Sequence, residues 1–244
     1  MGKANLKADR SPAAKALHKM ERAARLVTTP ARAPERPMWT ERLGQTELRR
    51  RMWHMLPGFL AFAAWAYPHK DPLSPTFKLI VIALVIAISV SLLRRFHTLV
   101  RDESTPETGT AATAGYALSV LLTLLILPAH AELGMTVLAV LAFGDGSATL
   151  AGLLFGRRKL PWNREKSWAG FVAFLLVGLP MATILYWGEA QPGVSWRTAA
   201  ICGTAAAIAG AIAESLPSRV NDNIRVGIAS MLAVVAAHAV VVGL

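Results

Sequence analysis

The sequence predicts an all-α membrane protein whose helices cross the bilayer about seven times. Of its 244 residues, 54% are hydrophobic and only 17% are charged, a balance too apolar for an ordinary soluble domain. Several apolar runs approach the ~20 residues that a helix needs to cross a bilayer core. The basic residues are also distributed unequally among the segments that connect these runs. All three observations indicate a polytopic helical membrane protein.

Seven apolar runs are the candidate transmembrane helices, and short connections join them into one helical membrane domain, residues 47–244. The first run is short, while the fourth and sixth each include or lead into an acidic residue. The runs lie at about 52–67, 77–93, 110–128, 133–155, 168–187, 198–213 and 226–244.

The formal net charge of +11 is explained by topology. With the N-terminus in the cytoplasm, four segments on that side contain 23 of the 26 Lys and Arg residues. Such an excess on one side is what the positive-inside rule predicts. The charge therefore gives no reason to expect nucleic-acid binding. These segments are 1–51, 94–109, 156–167 and 214–225.

Residues 1–46 are predicted to form a basic, disordered cytoplasmic tail, because they contain too few large apolar side chains to build a core. No cleavable signal peptide is recognisable, since the first apolar run begins only near Met52. We expect this run to stay in the membrane as an anchor, in a bacterial inner membrane. Cys202 is the single cysteine, which excludes intramolecular disulfides and cysteine metal clusters.

Small residues recur every four positions on the fourth and sixth candidate spans. Such stripes let neighbouring helices approach closely. We expect these two helices to pack against each other, although the stripes alone indicate packing and not chemistry. The stripes are Gly144, Ala148, Gly152 and Gly156 on the fourth span, and Gly203, Ala207 and Ala211 on the sixth.

Asp145 lies within an otherwise apolar stretch of the fourth span. A charge at such a position costs about 2.5–3.5 kcal/mol on insertion scales unless it has a partner or lines a wet cavity. It precedes the cytoplasmic end of its helix by roughly 16 Å at 1.5 Å per residue. We therefore expect Asp145 to face a cavity open to the cytoplasm, or its helix to protrude from the membrane.

Further acidic and basic residues gather at the cytoplasmic ends of the spans. Carboxylates that hold Mg²⁺, together with cations that neutralise phosphates, are the groups that phosphoryl transfer from a nucleotide requires. The basic loop can equally be a topology signal alone. No P-loop, GxSxG elbow or HExxH pair is present. The candidate metal ligands are Asp145, Glu214 and Asp222, and the candidate phosphate ligands are Arg157, Arg158, Lys159 and Lys166.

Three blocks in this order resemble the CTP-dependent lipid-alcohol kinases, the family of dolichol kinase, phytol kinase and CTP-dependent diacylglycerol kinase. Residues 47–54 look like the opening block, 144–170 are similar to the central nucleotide signature, and 214–223 look like the closing block. The chain departs from the family pattern at three positions. They are Arg51 in place of lysine, Ala169 in place of glutamate and Asn221 in place of aspartate.

The resemblance implies transfer of the γ-phosphoryl group of CTP, or of another nucleotide, to the hydroxyl of a membrane isoprenoid alcohol with Mg²⁺ as cofactor. Phytol, geranylgeraniol, a polyprenol such as dolichol, and diacylglycerol all fit as acceptors. Catalytic roles fall on Asp145, Lys166 and His54, and metal binding on Asp145, Glu214 and Asp222. Nucleotide binding falls on Arg157, Arg158, Lys159, Lys166, Ser167 and Asn223.

Two other functions fit parts of the sequence. A cytidylyltransferase similar to CDP-diacylglycerol synthase also joins CTP to a membrane lipid, but it releases pyrophosphate where a kinase releases CDP. The single lysine before Ser167 and the block at residues 214–217 favour the kinase. An ion-coupled transporter would also use intramembrane acids. The concentration of polar groups on one side argues against transport.

Overall fold

A computed structural model describes residues 45–65, 74–99, 106–127, 129–190 and 193–243. All of these residues fall within one unit, Trp39–Leu244. The predicted tail lies almost entirely outside the described residues, so its disorder stays a prediction.

The described residues are helical apart from short connections, which confirms the all-α class. Their helices coincide with the seven predicted apolar runs. Four rods are long and apolar enough to cross a membrane, namely Ala131–Phe155, Trp168–Ala190, Trp196–Ser215 and Asp222–Val241. The count of seven crossings and the cytoplasmic N-terminus stay predictions. The helices are α1 (Gln45–Trp65), α2 (Pro75–Leu99), α3 (Pro106–Ile126), α4 (Ala131–Ala139), α5 (Gly146–Phe155), α6 (Trp168–Ala190), α7 (Trp196–Ser215) and α8 (Asp222–Val241).

A π-helical segment, Val140–Asp145, joins α4 to α5 within one continuous rod. All six of its residues are buried, and it ends on the intramembrane carboxylate. A π segment widens the helix by one residue per turn and is frequent at functional sites. The widened turn therefore marks Asp145 as a position of interest on purely local grounds.

Helix α6 packs against both small-residue stripes. The fourth and sixth spans also contact each other directly, as expected, since a Cβ atom on Gly210 of α7 would lie 2.8 Å from Cγ1 of Val140 in the π segment. A Cβ atom on Gly144 would lie 2.8 Å from Cε1 of Phe174, which belongs to α6. On α7, a Cβ atom on Gly203 would lie 2.6 Å from the backbone nitrogen of Thr183, also in α6. The two stripes thus use the same central helix, whose bulky Phe174 fills the space left by small neighbours.

We expect Gly203→Val to destabilise the protein, because the Thr183 backbone cannot move away from the added side chain without displacing α6. Overpacking of this kind costs about 1–3 kcal/mol. Thermal unfolding in detergent should show a lower midpoint for this variant. Ile208→Val, an exposed position on the same helix, is the matched control. Equal midpoints for Gly203→Val and the parent protein would contradict the close approach of α6 and α7.

Candidate active site

Lys166 joins two carboxylates that are distant in sequence. It lies in the connection between α5 and α6, and its Nζ donates a short hydrogen bond to Oε1 of Glu214. The same ammonium group lies 2.6 Å from Oδ2 of Asp222. Glu214 is in the last turn of α7 and Asp222 begins α8. Three predicted site residues therefore meet where the connection between α5 and α6 lies against the end of α7 and the start of α8.

The connection that contains Lys166 folds back on itself as a small hairpin. Lys159 and Ser167 form an antiparallel bridge, and the backbone nitrogen of Leu160 donates to the carbonyl of Lys166 at 3.0 Å. The Leu160 side chain is buried and anchors the hairpin. This backbone pairing fixes the direction in which Lys166 leaves the chain.

Local capping accounts for two other residues near the cluster. Oγ of Ser167 accepts a hydrogen bond from the backbone N–H of Gly170 at 3.2 Å, which caps the start of α6. Oδ1 of Asn221 accepts from the backbone N–H of Asn223 at 3.0 Å and caps α8. Asparagine and aspartate are equally good at this position. The departure of Asn221 from the family pattern therefore preserves a cap.

The electrostatic balance of the cluster keeps Lys166 charged. Burial by itself would lower its pKa, but the charges of Glu214 and Asp222 and their hydrogen bonds outweigh burial and raise the pKa above the usual value. Asp222 also accepts from Arg225 at 2.6 Å. Within the described residues, Oε2 of Glu214 is buried without a hydrogen-bond partner. One carboxylate oxygen is therefore left to bind another cation.

Asp145 is paired with His54 of α1. Nε2 of His54 lies 3.1 Å from Oδ2 of Asp145 and 3.1 Å from the carbonyl oxygen of Leu141. Both neighbours are hydrogen-bond acceptors, so we infer that Nε2 carries a proton. A Cβ atom on Gly146 would lie 2.6 Å from Cγ of Met55, which explains how α1 approaches so closely.

The His54–Asp145 pair and the Lys166 cluster belong to one site. Asp145 is only 6% exposed, and its carboxylate lies within electrostatic range of Lys166, Arg51 and Glu214. Asp145 thus faces the interior of the helical domain and not the lipid. Charged or ionisable groups from α1, the hairpin and α7 therefore surround it.

The three other predicted phosphate ligands lie at the edge of the site. Arg157, Arg158 and Lys159 are exposed in the hairpin. Within the described part of the chain, none of them makes an ion pair with the clustered carboxylates. Nζ of Lys159 approaches the carbonyl oxygen of Glu165 at 3.4 Å. Their exposure leaves all three available to a ligand.

A cleft that the sequence analysis missed lies beside the hairpin. It has a volume of about 550 Å³, and its lining includes Trp162, Asn163, Arg164 and Arg219. Nε1 of Trp162 donates a hydrogen bond to Oγ of Ser215 at 3.3 Å. The sequence did contain one signal of this cleft, a tryptophan that lies between basic residues in a polar loop. The fold adds Arg219 from the connection between α7 and α8.

Comparison with known proteins finds plant relatives across most of the chain. A probable phytol kinase of Zea mays is 27% identical over 206 residues, which cover 78% of this chain and 67% of the relative. Phytol kinase 1 of Arabidopsis thaliana is 28% identical over 204 residues, with 78% and 66% covered. A farnesol kinase of Arabidopsis thaliana is 32% identical over 111 residues, with 41% and 34% covered.

The matched region spans about two thirds of the length of the phytol kinases. No family model matches the chain, and no solved structure matches it. The relatives are described as chloroplastic plant proteins, which gives no support to the expected bacterial inner membrane. By sequence, the chain is thus similar to phytol kinases over most of its length and to a farnesol kinase over part of it.

Proposed function

We propose that the protein is an integral-membrane kinase that transfers the γ-phosphoryl group of CTP to the hydroxyl of a membrane isoprenoid alcohol. Phytol, geranylgeraniol and polyprenols are the acceptor class. The observation that carries the proposal is the meeting of Lys166, Glu214 and Asp222 with the His54–Asp145 pair at one end of apolar helices. The similarity to a phytol kinase and a farnesol kinase supports an alcohol acceptor.

The nucleotide would bind across the hairpin. Lys166 would contact the phosphates, because its ammonium group stays charged at neutral pH. It lies beside Glu214 and Asp222, two of the acids that would hold the metal ion. Arg157, Arg158 and Lys159 at the exposed edge would add positive charge. The base and ribose would enter the cleft at Trp162, whose ring offers a face for stacking. Its size lies within the range usual for small-molecule sites.

The donor set fits a magnesium ion. Asp145, Glu214 and Asp222 supply carboxylate oxygens, the ligands that Mg²⁺ prefers. The buried Oε2 of Glu214 has no other partner among the described residues. When bound, the ion would neutralise charge on the transferred phosphoryl group.

Asp145 is the group best placed to accept the proton of the attacking hydroxyl. His54 donates from Nε2 to one oxygen of Asp145, so the histidine orients the carboxylate and does not compete for the proton. The alcohol oxygen would attack the γ-phosphorus in line as the bond to the β-phosphate oxygen breaks. The products are an alkyl phosphate and CDP, and the proton remains on Asp145 until it passes to solvent. Positioning and charge neutralisation would supply most of the acceleration.

The alcohol and the nucleotide would reach the site from different directions. The basic hairpin would face the cytoplasm according to the positive-inside rule, so the nucleotide comes from water. The isoprenoid chain would remain among the apolar helices of the bilayer. Their exposed side chains include Phe155, Val172 and Leu176.

The products of the reaction test this function. Purified protein in lipid nanodiscs, supplied with Mg²⁺ and CTP labelled at the γ-phosphate, should transfer the label to an isoprenoid alcohol and release CDP. ATP, GTP and UTP should be compared with CTP in the same assay. Release of pyrophosphate with a cytidylyl-lipid product would show a cytidylyltransferase instead. Ion flux in proteoliposomes without nucleotide binding would show a transporter.

A further inference from the structure

A second cluster of buried polar groups lies at the opposite end of the α4 to α5 rod from the hairpin. It consists of His130, just before α4, Glu132 in its first turn, Tyr186 of α6 and His238 in the last turn of α8. Glu132 and Asp145 are separated by about 20 Å at 1.5 Å per residue. The cluster is therefore distinct from the candidate active site.

The burial of this cluster requires a physical explanation. Glu132 is 6% exposed and His238 is 1% exposed. A carboxylate at such depth is costly unless positive charge lies close to it. The imidazoles of His130 and His238 lie close to this carboxylate, and an imidazole is uncharged when it is deprotonated. A divalent cation would balance the carboxylate and use the lone pairs of both imidazoles.

The donor atoms lie close enough together to form a metal site after small movements. Nδ1 of His130 lies 3.0 Å from Oε1 of Glu132, and Nδ1 of His238 lies 3.7 Å from the same oxygen. All three donor atoms lie within 4.8 Å of one another. Ligands at 2.0–2.2 Å from a tetrahedral ion are roughly 3.3–3.6 Å apart. Small side-chain movements would therefore complete the coordination.

We propose that His130, Glu132 and His238 bind a divalent transition-metal ion, with Zn²⁺ as the best fit. Two imidazole nitrogens and one carboxylate oxygen form a well-established zinc donor set with a fourth position left open. The hydroxyl of Tyr186 lies 2.6 Å from Nδ1 of His238, so a metal ion bound at this nitrogen would replace that hydrogen bond and lie beside the hydroxyl. The proposal is independent of the kinase assignment, since it uses other residues at another end of the helices.

The site has a route to solvent and a structural consequence. The side chain of His130 is 27% exposed, so an ion can reach the cluster from the membrane surface. A bound ion would connect the start of α4 to the end of α8, two segments that are far apart in sequence. Binding to the folded state alone raises stability. Chelation is therefore expected to lower the unfolding midpoint.

The proposal is tested by measuring the metal content of the purified protein. Any affinity tag is cleaved off first. After equilibration with micromolar Zn²⁺ and removal of free metal, mass spectrometry of the metal content should find about one zinc per chain. Co²⁺ should bind in its place and give the visible absorption of a tetrahedral site. His130→Ala and His238→Gln should each lower the zinc content to background.

Two controls separate this site from other metal-binding groups. Asp222→Asn, in the candidate active site, should keep its zinc, and so should His18→Gln in the N-terminal segment. Absence of zinc and cobalt binding by the parent protein would overturn the proposal without recourse to any variant. Full zinc content in His130→Ala and His238→Gln would overturn it as well. Loss of zinc in Asp222→Asn would assign the metal to the active site instead.

Discussion

Asp145→Asn is expected to lower the rate of lipid-alcohol phosphorylation by at least about 10²–10³-fold, the usual effect of removing one electrostatic group from a transition state. The change removes a negative charge and a proton acceptor but keeps the shape of the side chain. Its amide oxygen can still accept from Nε2 of His54, which lies 3.1 Å from the present carboxylate. Initial rates with γ-labelled CTP measure the effect, and thermal unfolding verifies that the variant is folded.

Glu165→Gln is the matched control, because it makes the same chemical change at an exposed position of the hairpin. It should leave the rate close to that of the parent protein. If Asp145→Asn retained parental turnover, Asp145 would have no part in catalysis. The proposed mechanism would then lose its proton acceptor.

Lys166→Met is the second substitution with a large expected effect. We expect kcat/KM for the nucleotide to fall by about 10²–10³-fold, because the ammonium group that would bind the phosphates is lost. The folded state should also be destabilised by about 1–3 kcal/mol, since Glu214 would lose a partner within a buried site. Asp222 adds less to this loss, because its side chain is 41% exposed and Arg225 still pairs with it.

Two further variants isolate the role of the Lys166 charge. Lys166→Arg keeps the charge but changes its geometry, so it should retain more activity than Lys166→Met. Lys78→Met removes an equal charge from α2, outside the cluster, and should not alter nucleotide kinetics. Unchanged kcat/KM for Lys166→Met would exclude a phosphate role, even if the expected loss of stability were observed.

The sequence was sufficient for features that depend on neighbouring residues. Apolar runs located the helices, because hydropathy over ~20 residues is a local property. Glycine and alanine at four-residue spacing predicted small helix faces. The spacing did not identify the partner, and the structure puts α6 against both stripes.

The composition of the candidate site was also predictable, although its internal pairing was not. Asp145, Lys166, Glu214 and Asp222 stand out as charges at the ends of apolar segments or within them. The pairing of His54 with Asp145 and the contact of Lys166 with both Glu214 and Asp222 involve residues 48 or more positions apart. Arg225 and the cleft at Trp162 were missed, because their roles depend on which loops lie side by side.

By itself, the sequence determined the all-helical class and the helix positions, and it supplied the candidate residues for binding phosphate. These follow from hydropathy, charge and local hydrogen bonding, which act over a few turns. Only the tertiary structure decided which helix faces which, where the π segment widens, and that two histidines and Glu132 meet far from the hairpin. Such choices depend on side-chain packing between distant segments, and no property of one segment specifies its partner.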